Sequence, residues 1–312
     1  MNMISPNDNR PEYNDPFLAH ANSKVLNPVV KRPLVGIGQD GSELPVSSHV
    51  GTYTVRDGRP VFLGVVSDSY EVVQFREIVQ KAEQVMRDFF TPEQLDGVQI
   101  KDVMGRQGAF VERRYTVPAF SDALEYGNTT AKTLEVGTTL AAELRIATGY
   151  DGERRTTLST GTKDLVCNNG MTAMKALDLF SRRHTKNSGN INVFTPWLEE
   201  CGPAFHEKIE EMREWADTPV QLTQVEDVVR ALPKMSNQKA EKILDRVWKE
   251  MNDRGNNAYA VTSALTYYSS HNSNEFPVRN TGNDNVATTL ADRELEVQSW
   301  VRSEPFQQLL AA

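Results

Sequence analysis

The spacing of apolar residues changes rhythm along the chain, and the changes divide it. Up to about Pro33 apolar side chains are sparse (Phe17, Leu18, Val25, Leu26) among Asn, Asp and the prolines Pro6, Pro11, Pro16, Pro28 and Pro33. Prolines so distributed forbid a long helix, so an irregular arm stapled onto a body is expected. From Thr52 the pattern has period two: Thr-Tyr-Thr-Val-Arg, then Asp57-Gly58, then Pro60 to Ser67. That predicts a hairpin with a tight turn. Between Tyr70 and Phe89 the residues Val72, Val73, Phe75, Ile78, Val79, Ala82, Val85, Met86 and Phe89 recur at helical spacing, which predicts an amphipathic helix.

Val98 to Val103 and Gly108 to Val117 read as strands, and Thr133 to Arg145 fits helix or strand. Ile146 to Val166 reads as a second hairpin centred on Asp151-Gly152. Met171 to Arg183 carries a helical face, with cations at its end that suit a helix C-terminus. Beyond the Asn/Ser/Gly linker at 187–192, helices are predicted over Trp197 to Trp215, Val225 to Leu232, Asn237 to Asn252, Tyr259 to Ser270 and Asn285 to Val301. The Asn/Ser-rich loop from Ser269 to Asn285 is expected to be mobile. The expected class is α+β: a twisted antiparallel sheet with hairpin–helix units, then a mainly helical C-terminal half. The expected divisions are an arm (1–33), a central body (34–190), a helical region (191–270), and a loop, terminal helix and tail (271–312).

Composition narrows the classes. Hydrophobic residues make up 39 % of the 312, and no window approaches the roughly 18–20 apolar residues needed to cross a bilayer, so no membrane partner is expected. The N-terminus has no signal-peptide pattern, and two cysteines, Cys167 and Cys201, make no disulfide framework, so a reduced cytoplasm is expected. The five histidines are scattered without metal-ligand spacing. Gly36-x-Gly38-x-x-Gly41 matches a dinucleotide fingerprint by letter but no helix start follows it, and Gly161-Thr-Lys163 lacks the rest of a phosphate loop. No cofactor, metal or catalytic set is therefore expected. A metal-dependent nuclease would need Asp57, Asp68 and Asp151 to converge.

Charge points elsewhere. The chain carries a net −8, yet from Lys101 to Lys186 there are 13 Lys/Arg against 10 Asp/Glu, a net of +3; from Asn187 to Glu250 there are 8 against 12, a net of −4. Within the central region lie Arg106, Arg113, Arg114, Tyr115, Arg145, Tyr150, Arg154, Arg155, Lys163, Lys175, Arg182, Arg183 and Lys186. Cations for phosphates and aromatic faces for bases are what single-strand binding without sequence preference requires. Alternation along a strand lets at most one of Arg113/Arg114, and one of Arg154/Arg155, face a given groove. The acidic helix after Glu199 offers a protein-facing surface. The apolar tip with Phe306, Leu309 and Leu310 is a candidate for docking on a partner.

Two blocks carry a resemblance. Val55-Arg-Asp-Gly-Arg-Pro-Val-Phe-Leu-Gly-Val-Val-Ser-Asp-Ser-Tyr70-Glu-Val-Val-Gln74 is one; Gly149-Tyr-Asp-Gly-Glu followed by Leu165-Val-Cys-Asn-Asn-Gly-Met171 is the other. Together they resemble a large family of phage and plasmid proteins that carry a domain of unknown function, over roughly residues 34–185. In general character the chain also resembles the single-stranded-DNA-binding RNA polymerase cofactors of podoviruses with a giant virion polymerase. That implies single-stranded DNA and phage RNA polymerase as partners, in the cytoplasm of an infected host. A ring-forming strand-annealing protein, with self-association, and an inhibitor of a host factor are the alternatives.

Overall fold

In the computed structural model, residues 15–124, 138–164, 170–171, 179–185, 201–279 and 285–311 are described. The period-two segments form a three-stranded antiparallel sheet in the order β1 (Val29–Ile37), β2 (Glu43–Arg56) and β3 (Arg59–Ser67). Asp57 and Gly58 both take left-handed backbone, φ 47° and 74°, the geometry that a two-residue hairpin needs to match strand twist. Gly38 to Gly41 closes the β1–β2 turn, with the Gly38 amide donating to the Ser42 carbonyl at 2.8 Å. The glycine-rich stretch is thus a hairpin tip and not a phosphate loop. β1 starts at Val29, inside the expected arm; ahead of it Phe17, Val25 and Leu26 are buried. They share a core with Phe75, Ile78, Val79, Ala82 and Met86 of α1 (Phe75–Phe89).

After the one-turn α2 (Pro92–Leu95), a second antiparallel sheet runs in the order β4 (Gln99–Gly105), β5 (Phe110–Leu124), β6 (Thr138–Gly149), β7 (Thr156–Asp164) and β8 (Gly170–Met171). β9 (Leu179–Arg182) also pairs with β7. Within the ambiguous segment the described residues, from 138 onward, are strand, because Leu144 and Ile146 face one core while Glu143 and Arg145 face the other way. The helix expected over Met171 to Arg183 is corrected at its end: Leu179–Arg182 is strand, paired with Thr156 to Ser159. The edge of β7 has backbone groups to satisfy, and that demand outweighs the helical spacing of the side chains. Residues 172–178 of that expected helix lie outside the described set.

The C-terminal half is helical as expected: α3 (Cys201–Asp217), α4 (Leu222–Ala231), α5 (Asn237–Arg254), α6 (Ala258–Ser270), α7 (Val286–Val301) and α8 (Glu304–Ala311). α6 is buried on nearly every side and forms the axis of this half. Its threonine hydroxyls are satisfied within the helix, Thr262 donating to the Ala258 carbonyl at 3.0 Å and Thr266 to the Ser263 carbonyl at 2.9 Å, while Ser263 reaches Glu250 of α5 at 2.8 Å. One expectation fails here. Phe306 and Leu309, proposed to dock on a partner, are buried in the helical core, and Leu310 packs half-buried against it. Their i, i+3, i+4 spacing gives α8 an apolar stripe that the parent domain itself covers. In the loop after α6, over the described residues 271–279, Phe276 is buried and the Arg293 guanidinium donates to the carbonyls of Phe276 at 3.0 Å and Pro277 at 3.1 Å; residues 280–284 of the expected mobile loop lie outside the described residues.

His184 joins the first sheet's exit to the second sheet. Its ring stacks on Tyr70 with centroids 4.8 Å apart, and its Nε2 lies 3.2 Å from the hydroxyls of both Thr148 and Thr156. Nδ1 lies 3.2 Å from the Glu71 carbonyl, so the neutral ring donates there and accepts from the threonines. Burial holds the His184 pKa below its ordinary 6.5. The native state therefore prefers the neutral ring while the unfolded chain takes up a proton near 6.5. Stability is constant above that pH and falls as pH drops below it. Thermal melts from pH 8 to 5 should show a falling midpoint with a shallower slope in His184→Gln. Some slope should remain, because burial also lowers His271. An unchanged slope in the variant would contradict the assignment.

Candidate functional site

The two sequence blocks meet in space. Gly64 of β3 lies so close to the β6–β7 turn that a Cβ there would stand 2.7 Å from the Asp151 Cα. Beside it the Thr52 hydroxyl donates to the Tyr150 carbonyl at 2.6 Å. Tyr150 is consequently not a base-stacking ring: it is 1 % exposed, and its hydroxyl accepts from the Phe75 amide at the start of α1, at 3.2 Å. The aromatic serves to seat α1 on the sheet.

Alternation along β5 separates the adjacent arginines. Arg113 points into the core shared with α1 and is fully buried. Its Nε and Nη2 donate to Asp102 at 2.7 and 2.8 Å, Nη1 to Glu83 at 3.0 Å, and Nη2 also to the His20 carbonyl at 3.0 Å. Tyr115, equally buried, donates to Glu83 at 2.9 Å. Burial raises the Glu83 pKa, and Tyr115 and Arg113 work against that rise. Arg113 and Tyr115 are thus structural, a correction to their expected place in a DNA groove.

Arg114 emerges on the opposite face, where it meets Arg145 directly across the β5–β6 ladder. Two facing guanidiniums would repel, but Glu112, Glu143 and Glu294 of α7 are set around them. Arg114 pairs with Glu112 and, at 3.4 Å, with Glu294; Arg145 pairs with Glu143 through Nε. Burial opposes ionisation of Glu143, yet Arg145 and Arg114 outweigh it and hold its carboxyl below the ordinary value. Between this face and α7 lies a cavity of about 430 Å³, to which Arg106, Arg145, Arg154 and Arg155 all contribute. Arg106 reaches it from strained backbone: Arg106 and Gln107 both have positive φ, 49° and 55°. It is held by Glu153 and, at 2.8 Å, by Asp151. Arg154 bonds Asp292 of α7 at 2.6 Å and lies over the Phe110 ring.

The structure therefore brings five of the expected cations together, Arg106, Arg114, Arg145, Arg154 and Arg155, and among the described residues leaves only Arg155 of these without an ion pair. Arg106, Arg114, Arg145 and Arg154 are each matched by carboxylates, and a continuous basic trough does not form among the described residues. The local +3 balance could not reveal this, because Asp292 and Glu294 come from a helix about 140 residues further along. Lys163 stands apart, 3.3 Å from the Gln99 side-chain oxygen. Arg182 closes β9 and Arg183 is exposed beyond it. Lys175 and Lys186 lie outside the described residues. For the nuclease alternative, Asp57 is taken up by Lys24 and Asp151 by Arg106, and no metal-holding group of three His, Cys, Asp or Glu occurs among the described residues.

A different surface was missed. On the first sheet the hydroxyls of Thr52 and Thr54 turn inward, bonding the Tyr150 and Pro28 carbonyls, so the apolar partners of the alternation face solvent. Val30, Tyr53 and Phe62 are register partners across β1, β2 and β3, and so are Arg32, Gly51 and Val65. Tyr53 and Phe62 lie 5.3 Å apart by ring centroids, and Phe62 is 48 % exposed. Gly51 leaves room for the tyrosine: a Cβ there would lie 2.6 Å from the Tyr53 ring. Arg32 is exposed on this face and makes no ion pair among the described residues, whereas Arg59, the register partner of Arg56, falls by alternation on the opposite face. The legible signal was a strand whose polar residues are small hydroxyls and whose aromatics occupy the alternate positions.

Residues 62–293 match the family model described as a domain of unknown function, DUF932, and the chain belongs to that family. No curated protein and no solved structure matches it.

If Arg113 is structural, Arg113→Ala leaves Glu83 and Asp102 without their cation. Urea unfolding should then register a loss of about 3–5 kcal/mol. A loss within the roughly 0.5 kcal/mol usual for a surface change would contradict the assignment.

Proposed function

We propose that the chain is a non-enzymatic, sequence-nonspecific single-stranded-DNA-binding protein, and that the strand lies on the outer face of β1–β2–β3. The solvent-facing Tyr53–Phe62 pair carries the reading. Every base offers a π-face, so stacking on such rings is tolerant of sequence. Arg32, free of carboxylates among the described residues, is available to phosphates on this face, as Arg113 and Arg114 are not. Val30, Val55, Phe62 and Val65 of this face are 46 %, 52 %, 48 % and 49 % exposed, and apolar exposure clustered on one face supports an interaction there.

The family resemblance to phage and plasmid proteins extends the reading to a viral setting, in which the bound protein recruits phage RNA polymerase to melted promoter DNA. With the tail buried, the protein contact passes to the ribbon beyond the body. There Val35, Ile37 and Leu44 are 52 %, 68 % and 56 % exposed. The same ribbon favours a second reading, self-association through aliphatic strands, in keeping with a strand-annealing ring.

Fluorescence anisotropy with labelled oligo-dT tests the site. Stacking is worth about 1–3 kcal/mol per base, so Tyr53→Ala with Phe62→Ala should weaken binding about 100-fold while the melting profile stays native. Affinity should also fall with salt as phosphate contacts release counterions. Unaltered affinity in the double variant, or no binding by the native chain, would contradict the proposal.

A further inference from the structure

We propose that the cavity between the second sheet and α7 is a site for a small phosphate ester, a mononucleotide in size, with its phosphate held by Arg145 and Arg155. This site is separate from the exposed face of the first sheet and does not depend on DNA binding there.

The first observation is a buried, ion-paired cation whose terminal donors make no hydrogen bond. Arg145 is 3 % exposed and lines the cavity. Its Nε is bonded to Glu143, but neither Nη1 nor Nη2 makes a hydrogen bond. Nη1 lies 2.5 Å from a Glu294 oxygen, in a direction that makes an ion pair and not a hydrogen bond. Buried polar groups in native proteins have partners, and an orphan marks a place where a ligand or water belongs. A guanidinium fork with open N–H groups matches the oxygens of a phosphate.

The second is the composition of the wall. Arg155 contributes a further cation with no ion pair among the described residues. Thr157 and Ser181 face each other across β7–β9, and Ser159 lies opposite Arg145 across β6–β7, so hydroxyls stand in register with the guanidinium. The lining carboxylates are already committed: Glu112 to Arg114, Glu153 to Arg106, Asp292 to Arg154, and Glu294 to Arg114 and Arg145. Leu295, 48 % exposed, gives the same cavity an apolar surface suited to a base or sugar. The third is the strained left-handed pair at Arg106 and Gln107 on its rim, a conformation that proteins retain where surroundings fix a functional group.

A mononucleotide fits these features better than a polymer, because α7 walls one side of the cavity and ties Arg154 to Asp292, which limits its length. Calorimetric titration of the full chain with inorganic phosphate, dTMP and thymidine tests the site. Saturable binding of phosphate and tighter binding of dTMP are expected, with none of thymidine. Arg155→Ala should weaken dTMP at least tenfold. Arg145→Lys should do the same, and if it fails to fold, Ser159→Ala with Arg155→Ala supplies the comparison. No saturable heat with phosphate or dTMP, equal binding of thymidine, or unchanged affinity in Arg155→Ala would overturn the proposal; in that event ordered water satisfies Arg145.

Discussion

The β5–β6 ladder holds two layers of charge that cannot be left uncompensated. Strand alternation sends Arg113 to one face and Arg114 and Arg145 to the other. On the first face Glu83 of α1 and Asp102 of β4 receive the cation; on the second Glu294 of α7 does. Breaking one buried pair strands its partner in a medium of low dielectric. These pairs therefore fix how α1 and α7 lie against the sheet, and each half of the chain is tied to the other through them.

That constraint decides what remains for function. Guanidiniums committed to carboxylates cannot also grip a phosphate backbone without releasing those carboxylates. In the function proposed above, phosphate contacts therefore move away from the residues where positive charge is densest in sequence, to Arg32 on the first sheet. It also leaves one recess, where Arg145 retains open donors beside α7. Both places border the junction made by Gly64 and Asp151, one residue from each of the two family blocks. The blocks are thus explained by docking of the two sheets, in addition to any ligand they serve.

Much of the fold was legible because local physics and tertiary packing agree. Asp57-Gly58 set its hairpin and the apolar stripe of α1 its helix, and the helix expected over Tyr259 to Ser270 is α6. Where sequence reasoning went astray, a partner distant in the chain decided the outcome. Leu179 to Arg182 became a strand because β7 offered an edge, and Phe306 and Leu309 found a core in their own domain. The candidate site was half legible. Arg106, Arg145, Arg154 and Arg155 do converge, but their neutralisation depends on Asp292 and Glu294, whose approach no local pattern announces. Tyr53 and Phe62 were passed over because an alternating strand is ordinarily assumed to turn its apolar side inward; here buried Thr52 and Thr54 invert it.

Ultraviolet crosslinking of oligo-dT to the full chain, with peptide mapping, tests the central claim most directly. Crosslinks at Tyr53 and Phe62 are the predicted result, with Arg154 and Arg155 peptides unmodified. Crosslinks concentrated on the Arg154–Arg155 turn, with the first sheet untouched, would contradict the account, since α7 would then have to leave the sheet for DNA to enter.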